Sequence, residues 1–190
     1  TNATYEQAIE AIELGASQAT HTYNAMSGLH HRRPGTLGAV LSNDAIYAQL
    51  IADNIHVHPA AMNVLARCKG AERVILITDA MRAAGLPTGE YDLGGQPVTV
   101  KDGQCRLHDG TLAGSVLTMD QALSNFMDAS GWPLAKAWPT SSRTAATALG
   151  LDHELGSIAP GYLADLVVLN RSLRVAATIV GGTVVWSSIA

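Results

Sequence analysis

Val74-Ile75-Leu76-Ile77 is the segment that most restricts what this chain can fold into. Four consecutive apolar residues, three of them β-branched, show no alternation with polar ones. A strand with one wet face alternates, so this run belongs to a strand covered on both faces, as in a parallel sheet flanked by helices. Thr78-Asp79 closes it. The upstream order agrees. Residues 5–14 carry Ala8, Ile9, Ile12 and Leu14 on one broad side and predict a helix, with Thr4 as N-cap and Gly15 as stop. Residues 17–21 predict a short strand, 24–38 a loop rich in Gly, Pro, Arg and His, and 46–52 a second strand. Residues 59–69 predict a helix opened by Pro59 and ended by Gly70. Helix, strand, loop, strand, helix, strand over the first 80 residues is the order of a parallel α/β architecture.

The pattern changes after residue 88. Residues 90–108 alternate, and Asp102-Gly103 between two such runs predicts a β-hairpin. Helical periodicity returns at 117–129 and 134–149. A strand at 165–169 follows, then a hairpin of 175–180 and 183–186 around Gly181-Gly182, which reads as a small separate β unit. The expected units are therefore 1–88, a hairpin insertion at 89–109, helices in 110–155 and the β unit at 156–190.

With 47% hydrophobic residues, 190 residues suffice for a sizeable core. A charged fraction of 15% and a net charge of -4 do not suit a polyanion, so nucleic acid is excluded as a partner. No apolar run approaches the ~20 residues of a membrane span, and no leader or lipidation motif is present. Cys68 and Cys105 fit neither metal nor redox spacing, which predicts two reduced thiols in a cytoplasmic protein. The chain opens on Thr1-Asn2-Ala3-Thr4, without Met and directly ahead of a helix, so it reads as an interrupted protein.

Three residues follow predicted strands and carry chemistry. Asp79 ends the buried run, where a barrel enzyme puts catalytic groups; a helix N-cap or loop carboxylate is the plain alternative. His21 ends the first strand and is a candidate metal ligand, or else a partly buried hydrogen-bonded imidazole. His56 follows the second strand at the same rim, and His58, just before Pro59, reads as a helix-entry residue. His30-His31-Arg32-Arg33-Pro34-Gly35 concentrates positive charge; it suits phosphate, or is a solvated loop or subunit contact. The small-residue turn at 110–115 permits close backbone approach by a ligand, or is a tight connection.

Five segments, taken in order, resemble one enzyme family. They are Thr20-His21-Thr22-Tyr23-Asn24-Ala25-Met26, Leu29-His30-His31-Arg32-Arg33-Pro34-Gly35, Ile51-Ala52-Asp53-Asn54-Ile55-His56-Val57, Thr78-Asp79-Ala80-Met81 and Gly110-Thr111-Leu112-Ala113-Gly114-Ser115. Together they resemble the N-acetylglucosamine-6-phosphate deacetylases of the amidohydrolase superfamily. The closing residues 156–161 and 164–169 are shared more widely in that superfamily. The resemblance implies a partial (β/α)8 TIM-like barrel, strands six to eight with their helices, plus part of a small β-sandwich; such a barrel takes about 250 residues. It also implies that five earlier strands, a metal-binding Glu and further His residues precede Thr1, one of those His immediately.

By the same resemblance His21 is a ligand of a divalent metal, zinc or iron, and Asp79 is the catalytic acid/base. Asn24, Ala25, Arg32 and His56 bind the sugar phosphate, and Leu112, Ala113 and Gly114 line the sugar and acetyl site. The implied partners are the small-molecule substrate and a second subunit in a homodimer. The implied reaction is hydrolysis of an acetamide by metal-activated water. Two rivals stand beside it: an amidohydrolase of another specificity, such as a cyclic-amide hydrolase, and a non-catalytic sugar-phosphate-binding fragment. One departure from the family pattern is Arg143-Thr144-Ala145, where relatives usually carry Pro before the Ala.

Overall fold

The computed structural model describes residues 1–189. Its first half is a three-stranded parallel sheet in the order β1 (Gln18–Ala19), β2 (Tyr47–Ile51), β3 (Val74–Ile77). Ala19 pairs with Ala48 and Ile51 with Ile77, so the strands run side by side and end near one edge. Helix α1 (Tyr5–Glu13) precedes β1, α2 (Gly35–Ser42) lies between β1 and β2, and α3 (Pro59–Lys69) joins β2 to β3. Val74, Ala48 and Leu50 are wholly buried, which accounts for the unbroken apolar run.

Local chemistry fixes the helix ends. Thr4 and Gln7 form a capping box on α1. The His58 side chain accepts from Ala60 N and Pro59 opens α3, while Gly70 closes it. Helix α4 (Met119–Ser130) packs on α3 and β3, and Asn63 Nδ2 donates to Ala129 O at 2.9 Å. Phe126, Leu50, Met62, Leu65 and Leu123 fill the shared core, with Trp132 edge-on to Phe126 at 5.5 Å. Each such side chain contributes roughly 1.5–3 kcal/mol by leaving water.

Four sequence expectations are corrected. Residues 24–38 are not all loop: α2 starts at Gly35 despite its Pro and Gly neighbours. Ser27 Oγ caps Thr36 N at 2.8 Å, and Gly38 is required because the Pro34 ring lies where a Cβ would stand. The first strand is only Gln18–Ala19, since the chain turns at His21. The helix expected at 134–149 is broken into α5 (Leu134–Ala137), a 3₁₀ turn (Trp138–Ser141) and α6 (Arg143–Ala148), because Pro139 supplies no N–H. The expected hairpin is a three-stranded antiparallel meander, β4 (Gly89–Leu93), β5 (Gln96–Lys101) and β6 (Gln104–Leu107). Asp102 and Gly103, both at positive φ, do form its second turn. Alternation revealed the strands, but Gly94-Gly95 at the first turn went unread.

The meander has its own small core of Met81, Ala83, Val98, Val100 and Cys105. A second antiparallel sheet, β7 (Leu166–Leu169), β8 (Val175–Val180) and β9 (Thr183–Ser187), ends the described chain. A sandwich needs two sheets face to face; the described C-terminal residues supply this one sheet, bound to α4 through Arg174 Nη2 and Gln121 Oε1 at 2.7 Å. No helix among the described residues is long and apolar enough to cross a membrane.

Candidate active site at the ends of three parallel strands

His21, His56 and Asp79 each follow the C-terminal end of one of the three adjacent parallel strands, and so share one edge of the sheet. The turns carrying them are strained. Seven non-glycine residues among those described have positive φ; five of them, His21, Tyr23, Ala25, Asn54 and Asp79, lie in these turns, the others being Asp102 and Leu173. Such conformations cost of order 1–3 kcal/mol each and persist only where the surroundings impose them.

After β1, Thr22 N donates to Gln49 O at 2.7 Å and ties the turn to β2. Thr22 is fully buried. The Tyr23 hydroxyl donates to Ala61 O in α3 at 2.7 Å. Burial, aided by the nearby Cys68, pushes the Tyr23 phenol up to about 12. These anchors leave His21 with Nδ1 3.1 Å from Asn24 O. A carbonyl only accepts, so Nδ1 carries the proton and a neutral ring keeps its lone pair on Nε2. His21, Asn24 and Ala25 line a cavity of about 330 Å³ beside β1, together with Gln7, Thr36 and Val40.

After β2, Asp53 organises the turn. Its Oδ1 accepts from Ile55 N at 2.9 Å and His56 N at 2.7 Å, and its Oδ2 meets His56 Nδ1 at 2.6 Å. Both side chains are over nine-tenths buried. Burial alone would raise the Asp53 carboxyl; the His56 ring bond, the two backbone bonds and the His56 charge together hold it below the usual carboxylate range. On the other side, Asn125 Nδ2 of α4 donates to Ala52 O at 2.8 Å.

After β3, Asp79 sits at φ 48° and is exposed. Ser115, buried, brackets it: Ser115 N donates to Asp79 O at 2.8 Å, Ser115 O accepts from Met81 N at 2.9 Å, and Ser115 Oγ donates to Thr78 O. Gly114 at φ 69° lies close under it, where a Cβ would stand 3.3 Å from Met81 Cβ and 3.4 Å from Asp79 O. Ala113 N donates to Cys105 O at 3.0 Å, and Leu112 bridges to Arg106. The meander thus clamps Leu112, Ala113 and Gly114 beside the Asp79 turn.

Arg32 stands apart from these groups. It is exposed, with its guanidinium 2.6 Å from His31 Nε2, and His31 stacks on His30 at 4.3 Å. His56, Asp79 and Arg32 do not line the cavity beside β1. Among the described residues no three His, Cys, Asp or Glu side chains gather closely enough to hold a metal ion. His21 nonetheless suits one ligand position, with Nδ1 committed to a carbonyl and Nε2 available. Sequence reasoning gave no role to Asp53 or Ser115. The Asp-x-x-His spacing at 53–56 was a readable signal for the first; nothing local signalled the second, whose hydroxyl reaches Thr78 across 37 positions.

Residues 1–185 match the amidohydrolase family. An N-acetylglucosamine-6-phosphate deacetylase of Lysinibacillus sphaericus is 49% identical over 184 residues, 97% of this chain and 47% of that protein. A putative N-acetylgalactosamine-6-phosphate deacetylase of Escherichia coli K12 is 47% identical over 155 residues, 82% of this chain and 92% of that protein. The crystal structure of an N-acetylglucosamine-6-phosphate deacetylase from Thermotoga maritima superposes with a TM-score of 0.93 at 40% identity, covering 98% of this chain and 51% of that one. A mutant of the Mycobacterium smegmatis enzyme in complex with N-acetyl-D-glucosamine-6-phosphate gives 0.94 at 36% identity, over 98% and 50%. The chain spans about half the length of the first of these relatives and of both solved structures.

Proposed function

The chain belongs to the amidohydrolase family, and on that premise we propose that it carries the acid/base and phosphate-binding half of a deacetylase acting on N-acetylglucosamine 6-phosphate. In this reading β1 to β3 are the sixth to eighth strands of a (β/α)8 barrel, residues 89–109 an insertion, 110–155 barrel helices and 156–190 part of a β-sandwich. The observation that carries it is the alignment of His21, His56 and Asp79 along the C-terminal edge of three parallel strands.

The residues divide the work. His21 would hold a divalent cation, zinc or iron, through Nε2. When bound, such a cation lowers the pKa of a water from ~15.7 toward ~7. Asp79 accepts the proton of the water that attacks the acetamide carbon. As the C–N bond breaks, Asp79 returns that proton to the departing amine, giving glucosamine 6-phosphate and acetate. A carboxylate on a rigid turn suits a proton taken and given back at one place, and the Ser115 bracket supplies the rigidity. The amides of Asn24 and Ala25, with His56, bind the phosphate. Leu112, Ala113 and Gly114 line the sugar and acetyl group. Arg32, exposed on its loop, reaches the phosphate of a neighbouring subunit in a homodimer. The two free thiols, Cys68 and Cys105, support a cytoplasmic location.

The test is acetate release from N-acetylglucosamine 6-phosphate. Asp79→Asn should lower turnover by roughly 10²–10⁴-fold, the usual worth of a general acid/base, with an unchanged melting curve. Near-normal turnover in that variant sinks the assignment. Identities of 46% and 47% to two N-acetylgalactosamine-6-phosphate deacetylases support a second reading, the C4-epimeric substrate. The same assay run on both sugars separates the two by their kcat/KM.

A further inference from the structure

Asp53 is a buried ionisable group that the proposed mechanism leaves without work. Its carboxylate is committed at both oxygens, Oδ1 to two backbone amides of its own turn and Oδ2 to the His56 ring. Both sides of this turn are fixed by the core: Ala52 O is held by Asn125, and Val57 is buried at 3% exposure. The ring of His56 therefore has one orientation, with Nδ1–H on the carboxylate and Nε2 as its only uncommitted nitrogen. A turn needs only a neutral acceptor to cap its amides, as Asn43 Oδ1 does for Ala45 N at 2.8 Å. A buried carboxylate at 2.6 Å from an imidazole goes beyond that requirement: it can balance a ring protonated on both nitrogens, which is the form that an Nε2–H turned toward an anion requires.

We propose that Asp53 is a positioning residue for substrate specificity: it fixes and charge-balances His56 so that Nε2–H selects the phosphorylated sugar over the unphosphorylated one. This rests on the reading of His56 as a phosphate-binding residue. Asp53 touches no substrate; it acts through His56. Asp53→Asn keeps an oxygen for the two amides and removes the charge, so the turn survives while the ring loses its counter-charge.

Binding of N-acetylglucosamine 6-phosphate and of N-acetylglucosamine to the chain, with ¹⁵N shifts of the His56 ring, decides the matter. Asp53→Asn should weaken binding of the phosphorylated sugar roughly tenfold, the worth of one charge-assisted hydrogen bond. It should leave the unphosphorylated sugar unaffected and move the ¹⁵N shifts of the His56 ring, whose Nδ1–H loses its carboxylate partner. In an active preparation KM should rise while kcat stays within about twofold. Equal weakening for both sugars, or unchanged ring shifts and unchanged binding, overturns the proposal. His56→Ala separates the two claims. If that variant binds the phosphorylated sugar normally, or the wild-type chain does not bind it at all, the phosphate reading falls and this inference with it. If His56→Ala weakens binding and Asp53→Asn does not, only the inference falls.

Discussion

His21 and His56 stand on neighbouring turns of one sheet edge, yet what lies behind each ring differs. His21 gives its Nδ1 proton to a neutral carbonyl, Asn24 O, at 3.1 Å; His56 gives its own to a buried carboxylate, Asp53, at 2.6 Å. Each arrangement fixes the ring and leaves Nε2 uncommitted. A neutral partner leaves an uncharged ring with a lone pair to offer, which suits a cation. A carboxylate partner can balance a ring protonated on both nitrogens, which in the proposed reading meets the phosphate. The residue type and its place after a strand are the same in both turns; in the proposed reading the partner on Nδ1 is what separates their roles.

The largest expected effect tests that division directly. His21→Ala should reduce the metal affinity of the protein by more than the roughly 10–100-fold that follows loss of a group merely orienting a ligand. His56→Ala should leave metal content unchanged. Metal analysis after dialysis against a weak chelator reads both, and equal loss in the two variants breaks the comparison.

The turns also rest on anchors of opposite protonation. Tyr23 holds the His21 turn as a neutral phenol on Ala61 O. Its folded value, about 12, lies above the ordinary 10.0, so the folded state binds this proton more tightly than the unfolded chain does. The stability it contributes is fully present below pH 10 and is lost as pH rises through about 12. Tyr23→Phe should cost roughly 1 kcal/mol near neutrality through the lost hydrogen bond. It should also flatten the alkaline fall in urea midpoint between pH 10 and about 12. An equally steep fall in the variant would assign it to other groups.

Parts of this were legible in the sequence and parts were not, for physical reasons. The unalternated Val74-Ile75-Leu76-Ile77 run announced a buried parallel strand because burial on both faces leaves no polar position. Thr4, Pro59 and Asp102-Gly103 announced ends and turns because capping and positive φ are local requirements. Helix α2 was hidden because its helicity depends on Ser27, eight positions upstream of Gly35, and on a Gly38 that reads as a breaker but serves a close approach to Pro34. At the candidate site, His21, His56 and Asp79 were visible as reactive types after strands. What holds them was partly out of view: Ser115 reaches Thr78 across 37 positions, and the Cys105 carbonyl that takes the Ala113 amide belongs to the meander. Asp53 was the exception, three residues from its partner and still unassigned.

The smallest effect lies at the acid end and completes the contrast. The folded-state value of Asp53 is depressed, so the unfolded chain binds its proton more tightly. The stability it contributes is present above the ordinary carboxylate value, ~3.9, and is lost as pH falls through the lower folded value. Wild type should therefore lose stability more steeply than Asp53→Asn below about pH 4. Asp109 and Asp120 are depressed too and titrate in the same window, so the informative quantity is the difference between the two curves. His56→Ala sharpens it further. That change removes the ring bond and its charge while burial still pushes the carboxyl up, so the Asp53-dependent loss should shrink. A shallower acid limb in His56→Ala, together with an unmoved alkaline one, would establish that the two turns are stabilised separately, one by Asp53 and the other by Tyr23.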